Sequence, residues 1–344
     1  MASKKLNFGI HGVPLKQFEK TTANLLSTVE PQYVCLPPPL DADADWPFSQ
    51  LPTSARVLGP NPGQLNNPKR AGRKEGQLRS IIRCVLRLIP KDAKRGFTVV
   101  DFGGGSGHMG IPLALLLPRC RIIVVDLRKR SLDLMHDKAD IVTDEMLSSL
   151  GQKPQLIDDE PDFVNQKPGF SQCGKYIGIL DNLFSYHGPV ETFDMAFDMA
   201  LALHLCGEAT DVTLRKAAHF HATIVVAPCC VGKLSQKTKN PDVYNATGQN
   251  NATVSYPQST LFCRLIPNQD DFDALAKAAD YSNEQESRTS LNATRRTAKA
   301  LLETDRRLYL EERYQYKTAL MRMDPWEVTP KNDILVRLQK RNRN

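Results

Sequence analysis

The chain has 344 residues, 41% hydrophobic and 24% charged, with a formal net charge of +7, a balance that supports a sizeable core and excludes disordered or fibrous classes. No stretch approaches the roughly 20 apolar residues of a membrane span, and MASKKLNFGIHGVPLK at the N-terminus lacks the apolar centre of a signal peptide. Eight cysteines scattered along so long a chain are no disulfide scaffold, so the expectation is a cytoplasmic protein that engages no membrane, with the sequons at Asn245, Asn251 and Asn292 serving as loop and helix-cap chemistry.

Residues 1–65 hold Pro37-Pro38-Pro39, the acidic stretch Asp41 to Asp45 and Gly59-Pro60-Asn61-Pro62-Gly63, and read as a loop-rich N-terminal arm. Residues 66–344 read as one domain with a basic helical lead-in over 66–96. Between Lys69 and Arg95 ten lysines and arginines face only Glu75 and Asp92, while the rest of the chain is close to neutral. From Gln77 to Ile89 the apolar residues Leu78, Ile81, Ile82, Val85, Leu86 and Ile89 fall on one helical face, which Pro90 terminates. Arg79, Arg83 and Arg87 line up at four-residue steps on another face, near Arg73 and Lys74. These five are candidate phosphate contacts; the competing reading is an ordinary solvated face. No aromatic residues interleave them for base stacking, so the nucleic-acid reading rests on charge alone.

Phe97 to Asp126 reads as strand, glycine loop, apolar helix and strand, the opening unit of a nucleotide-handling α/β fold. Gly105-Ser106-Gly107-His108-Met109-Gly110 matches the dinucleotide-binding spacing, with Asp126 near the ribose-binding offset. Asp101 argues the other way. A carboxylate at the end of the first strand repels a pyrophosphate lodged at the following helix, whereas it attracts an ammonium and a sulfonium. The cosubstrate that fits is S-adenosylmethionine. On this reading Asp101, Gly103, Gly104, Gly105 and Gly107 hold its methionine part and Asp126 its ribose hydroxyls. A glycine turn with no ligand is the bland alternative.

A helix follows to about Leu150, with Gly151 as its C-cap, and then an inserted loop over 152–175. Strands are expected at Tyr176 to Leu180, whose following Asp181 is assigned to the adenine amino group, at Asp198 to His204 and at Thr223 to Ala227. Residues 233–256 are polar and read as a mobile loop. A basic helix over Thr294 to Tyr316 precedes two closely spaced strands, Thr318 to Met323 and Ile334 to Leu338, that suggest an antiparallel pair. The sum is a seven-stranded, mostly parallel sheet with a terminal antiparallel hairpin, as in Rossmann-like class I methyltransferases.

His204-Leu205-Cys206-Gly207 and Pro228-Cys229-Cys230 follow the fourth and fifth parallel strands, so both face the crevice of the glycine loop. ALALHLCGEATD and TIVVAPCCVGK, with DFGGGSGH upstream, resemble the methyltransferase domain of the glutathione S-transferase C-terminal domain-containing proteins. The histidine-to-aspartate stretch is also similar to that of eukaryotic tRNA 2′-O-methyltransferases of the acceptor stem. The resemblance runs from about residue 69 onward and omits the transferase-like module that precedes the domain in the first family. It implies a methyltransferase dependent on S-adenosylmethionine, directed at RNA, either tRNA or rRNA; it does not identify the acceptor atom or the oligomeric state.

For His204, Cys206, Cys229 and Cys230 four roles stay open. His204 suits a general base near neutral pH; a cysteine thiolate suits addition to a pyrimidine ring. The four together offer zinc ligands, although adjacent cysteines chelate less readily than a C-x-x-C pair. Small buried cysteines also line pockets without reacting. Methyl transfer itself needs no metal, and none is assigned. The alternatives to an active enzyme are a catalytically silent fold that retains RNA or partner contacts, and an NAD-dependent oxidoreductase.

Overall fold

The computed structural model describes residues 15–35, 51–55, 68–90, 93, 96–150, 154–158, 161–235, 254–280, 290–324, 329 and 331–337. Buried β-branched runs give its central strands, β1 (Phe97–Phe102), β2 (Cys120–Asp126) and β6 (Thr223–Ala227). Around them stand β3 (Phe170–Gln172), β4 (Leu183–His187), β5 (Met199–Leu203), β7 (Ala319–Arg322) and β8 (Asp333–Val336). The order across the sheet is β3-β4-β2-β1-β5-β6-β8-β7. Five strands are parallel, and β3, β8 and β7 run antiparallel to their neighbours.

Side chains alternate between the two faces of this sheet, as the pleat requires. Val99, Ile122, Val124, Leu201 and Val225 pack under α2 (Pro68–Leu88), α3 (Gly110–Leu116) and α4 (Lys129–Ser149). Val100, Phe102, Ile123, Ala200 and Val226 face α5 (Asp162–Gln166), α6 (Glu208–His219) and a cluster of aromatic rings centred on Phe193. A third apolar cluster joins α1 (Leu15–Leu26), α7 (Thr260–Leu265), α8 (Gln269–Ala279) and α9 (Ser290–Tyr314) through Leu25, Phe262, Phe272 and Leu301. Within the N-terminal arm, α1 is thus helical and seated on the domain, with Phe18 against Ala274 and Ala278.

The sheet differs from the sequence expectation in two places. Tyr176 to Leu180 is a turn, with Gly178 at φ +82° and Leu180 at φ +55°, and the third parallel strand is β4, seven residues later at its start. Apolar content made Tyr176 to Leu180 resemble a strand, but its left-handed residues cannot continue one. The inserted loop contributes β3, so the sheet has eight strands among the described residues rather than seven. The helix of residues 77–89 begins earlier, at Pro68, a residue suited to a first helical turn. Gly151 and residues 236–253, expected as a C-cap and within a mobile loop, lie outside the described residues.

Candidate active site

Asp101 is fully buried at the C-terminal end of β1, and neither of its carboxylate oxygens has a hydrogen-bond partner. Burial, reinforced by the charge of Asp126, pushes its pKa up to about 8. An orphaned buried carboxyl group is costly, and this one lies beside the glycine loop. The loop approaches it closely. Gly103, Gly105 and Gly107 all have positive φ, near +71°, +59° and +70°, and a Cβ at Gly104 would collide with the Asp101 carboxylate.

Asp126, at the end of the adjacent β2, is spoken for on both oxygens. Oδ2 accepts from the Gly105 N–H at 3.0 Å and Oδ1 from the Arg128 N–H at 2.8 Å. The acid therefore fixes the glycine loop to the start of the segment after β2. Asp181 is placed elsewhere: it precedes β4, at the opposite end of the sheet, where Oδ2 accepts from the Gly178 N–H at 3.0 Å. Its assignment to the adenine is corrected accordingly. The residue of β4 that pairs with Asp126 is His187, exposed at the crevice edge.

The loop after β5 brings His204 into the crevice in a left-handed conformation, φ +69°, uncommon for any residue but glycine. Its Nε2 shares a 3.0 Å hydrogen bond with Oε1 of Gln77 on α2. Desolvation lowers its pKa, opposed by Cys230 and helped by Lys74 and Lys331, so the neutral ring dominates at pH 7. Leu205 packs on the glycine loop so closely that a Cβ on Gly103 would meet its Cδ1 at 2.9 Å. Cys206 follows, with its Sγ 3.2 Å from that of Cys229, which is 3.4 Å from that of Cys230. The two cysteine segments and the glycine loop thus share one crevice.

Buried charges hold this arrangement from behind. Thr210 Oγ1 donates to the Leu205 carbonyl at 2.7 Å, and Asp211 accepts from Nε and Nη2 of Arg306, on α9, at 2.9 Å each. Tyr256 and Gln258 donate to the same carboxylate at 2.6 and 2.7 Å, and Glu303 pairs with Arg306 at 3.0 Å. Nothing in the spacing of the sequence pairs Asp211 with Arg306. His108 was equally illegible: its Nε2 is 3.0 Å from Ser106 Oγ, and burial and then Lys74 and Lys138 lower its pKa to about 3.

The basic lead-in divides. Lys74 sits close enough to the crevice for its charge to act on His108, Lys138 and His204. Arg79 is bridged to Glu75 at 3.0 Å, and Arg83 meets Asp324 at 3.3 Å, both half-exposed. Arg83 and Arg87 line a groove of about 440 Å³ with Tyr33, Met321 and Arg322. Arg73, half-buried, lies one residue before Lys74 near the start of the same helix.

Residues 73–237 match the family model described as a methyltransferase domain. The chain is 28% identical over 296 residues to the glutathione S-transferase C-terminal domain-containing protein of Xenopus laevis, covering 85% of this chain and 37% of the relative. It is 30% identical over 280 residues to the homologue from Drosophila pseudoobscura pseudoobscura, covering 80% and 38%. The chain therefore spans under two fifths of the length of these curated relatives. A shorter match, 29% over 69 residues, reaches the ribosomal RNA small subunit methyltransferase G of Flavobacterium johnsoniae, covering 20% of this chain and 33% of that one. Among solved structures, magnesium protoporphyrin IX methyltransferase from Synechocystis PCC 6803 with bound SAH aligns at 16% identity and TM-score 0.32, over 51% of this chain and 66% of that one. Residues 73–237 thus match a methyltransferase domain, and over most of its length the chain is similar to part of the glutathione S-transferase C-terminal domain-containing proteins.

Proposed function

We propose that this domain transfers the methyl group of S-adenosylmethionine to RNA. The observation that carries the cofactor half is the orphaned carboxyl group of Asp101 beside a loop whose Gly103, Gly105 and Gly107 all have positive φ. Bound there, S-adenosylmethionine supplies an electrophilic methyl group. Asp101 meets its ammonium, Asp126 its ribose hydroxyls, and the backbone of Gly103 to Gly107 approaches the methionine part. The Asp101 acid offers a pyrophosphate a like charge once it is ionised, which disfavours the NAD-dependent alternative.

Transfer from a sulfonium is an in-line displacement, so alignment and electrostatics supply most of the rate. His204, neutral and oriented by Gln77, stands on the acceptor side and takes the proton that a nitrogen or hydroxyl acceptor releases. Cys206 and the Pro228-Cys229-Cys230 turn shape the same wall.

The RNA half is supported by α2. It carries Lys74 near the crevice and, further along, Arg79, Arg83 and Arg87, a cationic edge spanning about 12 Å between the first and last arginine. One relative by sequence is named as a ribosomal RNA methyltransferase, and the stretch from His204 to Asp211 resembles the tRNA enzymes.

Incubating the full chain with methyl-labelled S-adenosylmethionine and total RNA tests the proposal. Label in the RNA fraction, lost after nuclease digestion, is the expected result. RNA binding without incorporation favours the silent fold, and label confined to protein or small molecules overturns the RNA assignment.

A further inference from the structure

Beyond the ends of β5 and β6 three sulfurs converge. The Sγ atoms of Cys206, Cys229 and Cys230 all lie within 4.8 Å of one another. Two separations are 3.2 and 3.4 Å, and all eight cysteines of the chain are free thiols. Tetrahedral zinc, with bonds to sulfur of about 2.3 Å, spaces its sulfurs roughly 3.8 Å apart. Side-chain adjustments of about half an ångström would bring the two short separations to that spacing.

We infer that Cys206, Cys229 and Cys230 form a zinc(II) site, with three thiolate ligands and a fourth position left to solvent or an exogenous donor. Methyl transfer as read above requires no such site, and the sequence alone assigns none because neighbouring cysteines chelate poorly. The turn at Cys230, φ −101° and ψ 72°, removes that objection by turning both sulfurs to one side. His204 is not part of the group, whose clustered donor atoms are the three sulfurs alone, and its Nε2 is bonded to Gln77.

Charge and rigidity both favour a soft cation here. Thiolates select zinc or copper(I) over the hard alkaline-earth ions. Zinc on three thiolates leaves one net negative charge, and Lys331 answers it: its Nζ lies 4.0 Å from Cys230 Sγ and is itself tethered to Asp280. Left as thiols, the sulfurs would have only weak donors and acceptors to offer one another. The loop bearing Cys206 is fixed by Thr210 and by the Asp211–Arg306 pair, so the ligands are held without an ion. Binding would release the thiol protons to the buffer.

Zinc per chain, counted by plasma mass spectrometry on the full protein, tests the site independently of any methyl acceptor. About one zinc per chain is expected, and the cobalt(II) form should show a thiolate-to-cobalt charge-transfer band and intense tetrahedral ligand-field absorption. Cys206→Ser and Cys230→Ser should each weaken zinc binding about tenfold or more, with circular dichroism reporting the fold. Cys35→Ser and Cys263→Ser, at exposed positions, should change neither readout. Three results would overturn the site: metal-free protein with no cobalt spectrum, a Cys206–Cys229 disulfide in freshly purified protein, or zinc retained by the Cys206→Ser/Cys230→Ser double variant. Should the serine variants not fold, the stoichiometry and cobalt spectrum of the unaltered chain decide it.

Discussion

The guanidinium of Arg306 grips both oxygens of Asp211 at 2.9 Å, across 95 residues of sequence and with both side chains 2% exposed. Asp211 closes the HLCGEATD stretch, and the pairing gives that acid a positioning role. It anchors the start of α6, so Gly207, at φ +62°, can turn the chain and present Cys206 and His204 to the crevice.

Removing one side of that pair leaves an uncompensated buried charge. Arg306→Met should destabilise the protein by about 3–5 kcal/mol, read from urea unfolding. Tyr256→Phe, which removes a single hydrogen bond to the same carboxylate, should cost only about 1–2 kcal/mol. Equal small losses from both changes would deny Asp211 its anchoring role.

Asp101 makes stability depend on pH in the direction opposite to most carboxylates. Its folded pKa, near 8, lies above the ordinary value of about 3.9 of the unfolded chain. Its stabilising contribution is fully present below about pH 4 and is lost as pH rises toward 8, because the ionised group must then be buried. Asp101→Asn should therefore raise the melting temperature of the cosubstrate-free protein at pH 8 and flatten this dependence. A melting temperature that falls on substitution at pH 8 would mean that the carboxylate has a native partner.

How much of this was legible beforehand follows from particular residues. β1, the glycine loop and β2 could be read because their signals are local: buried β-branched runs closed by Asp101 and Asp126, with glycines at positions of positive φ. β4 was missed because LFSYH carries a buried serine, Ser185, whose hydroxyl is 2.9 Å from His136 on α4. Its start is set by Asn182, whose amide donates to the carbonyls of Ala114, Leu117 and Cys120, contacts distant in sequence. That displaced strand also moved Asp181 to the wrong end of the sheet. Strand order alone puts the cysteines at the crevice, but only the folded turns bring three sulfurs together.

If α2 tracks RNA phosphates, charge removal should act uniformly on RNA sequences. Arg83→Ala/Arg87→Ala should weaken RNA binding in fluorescence anisotropy and reduce the slope of log affinity against log salt by about 0.7–0.9 for each phosphate no longer neutralised. Affinity for S-adenosylmethionine should not change. An unaltered salt slope would return these arginines to a solvated surface.

A base at His204 must be neutral, and its pKa is held below the ordinary value near 6.5. Methyl transfer should persist at mildly acidic pH and fall only as pH drops through that lowered pKa. His204→Gln should cut kcat by about 10²–10⁴-fold with a smaller effect on the KM for S-adenosylmethionine. A full-rate His204→Gln enzyme would leave the histidine as pocket lining.

Calorimetric titration of the full chain with S-adenosylmethionine and with NADH, repeated on Asp101→Asn, addresses the cofactor assignment most directly. The unaltered chain should bind S-adenosylmethionine and not NADH, and the near-isosteric amide should lose about tenfold or more of that affinity, roughly 1.4 kcal/mol. Binding of NADH, or S-adenosylmethionine affinity that Asp101→Asn leaves intact, would contradict it.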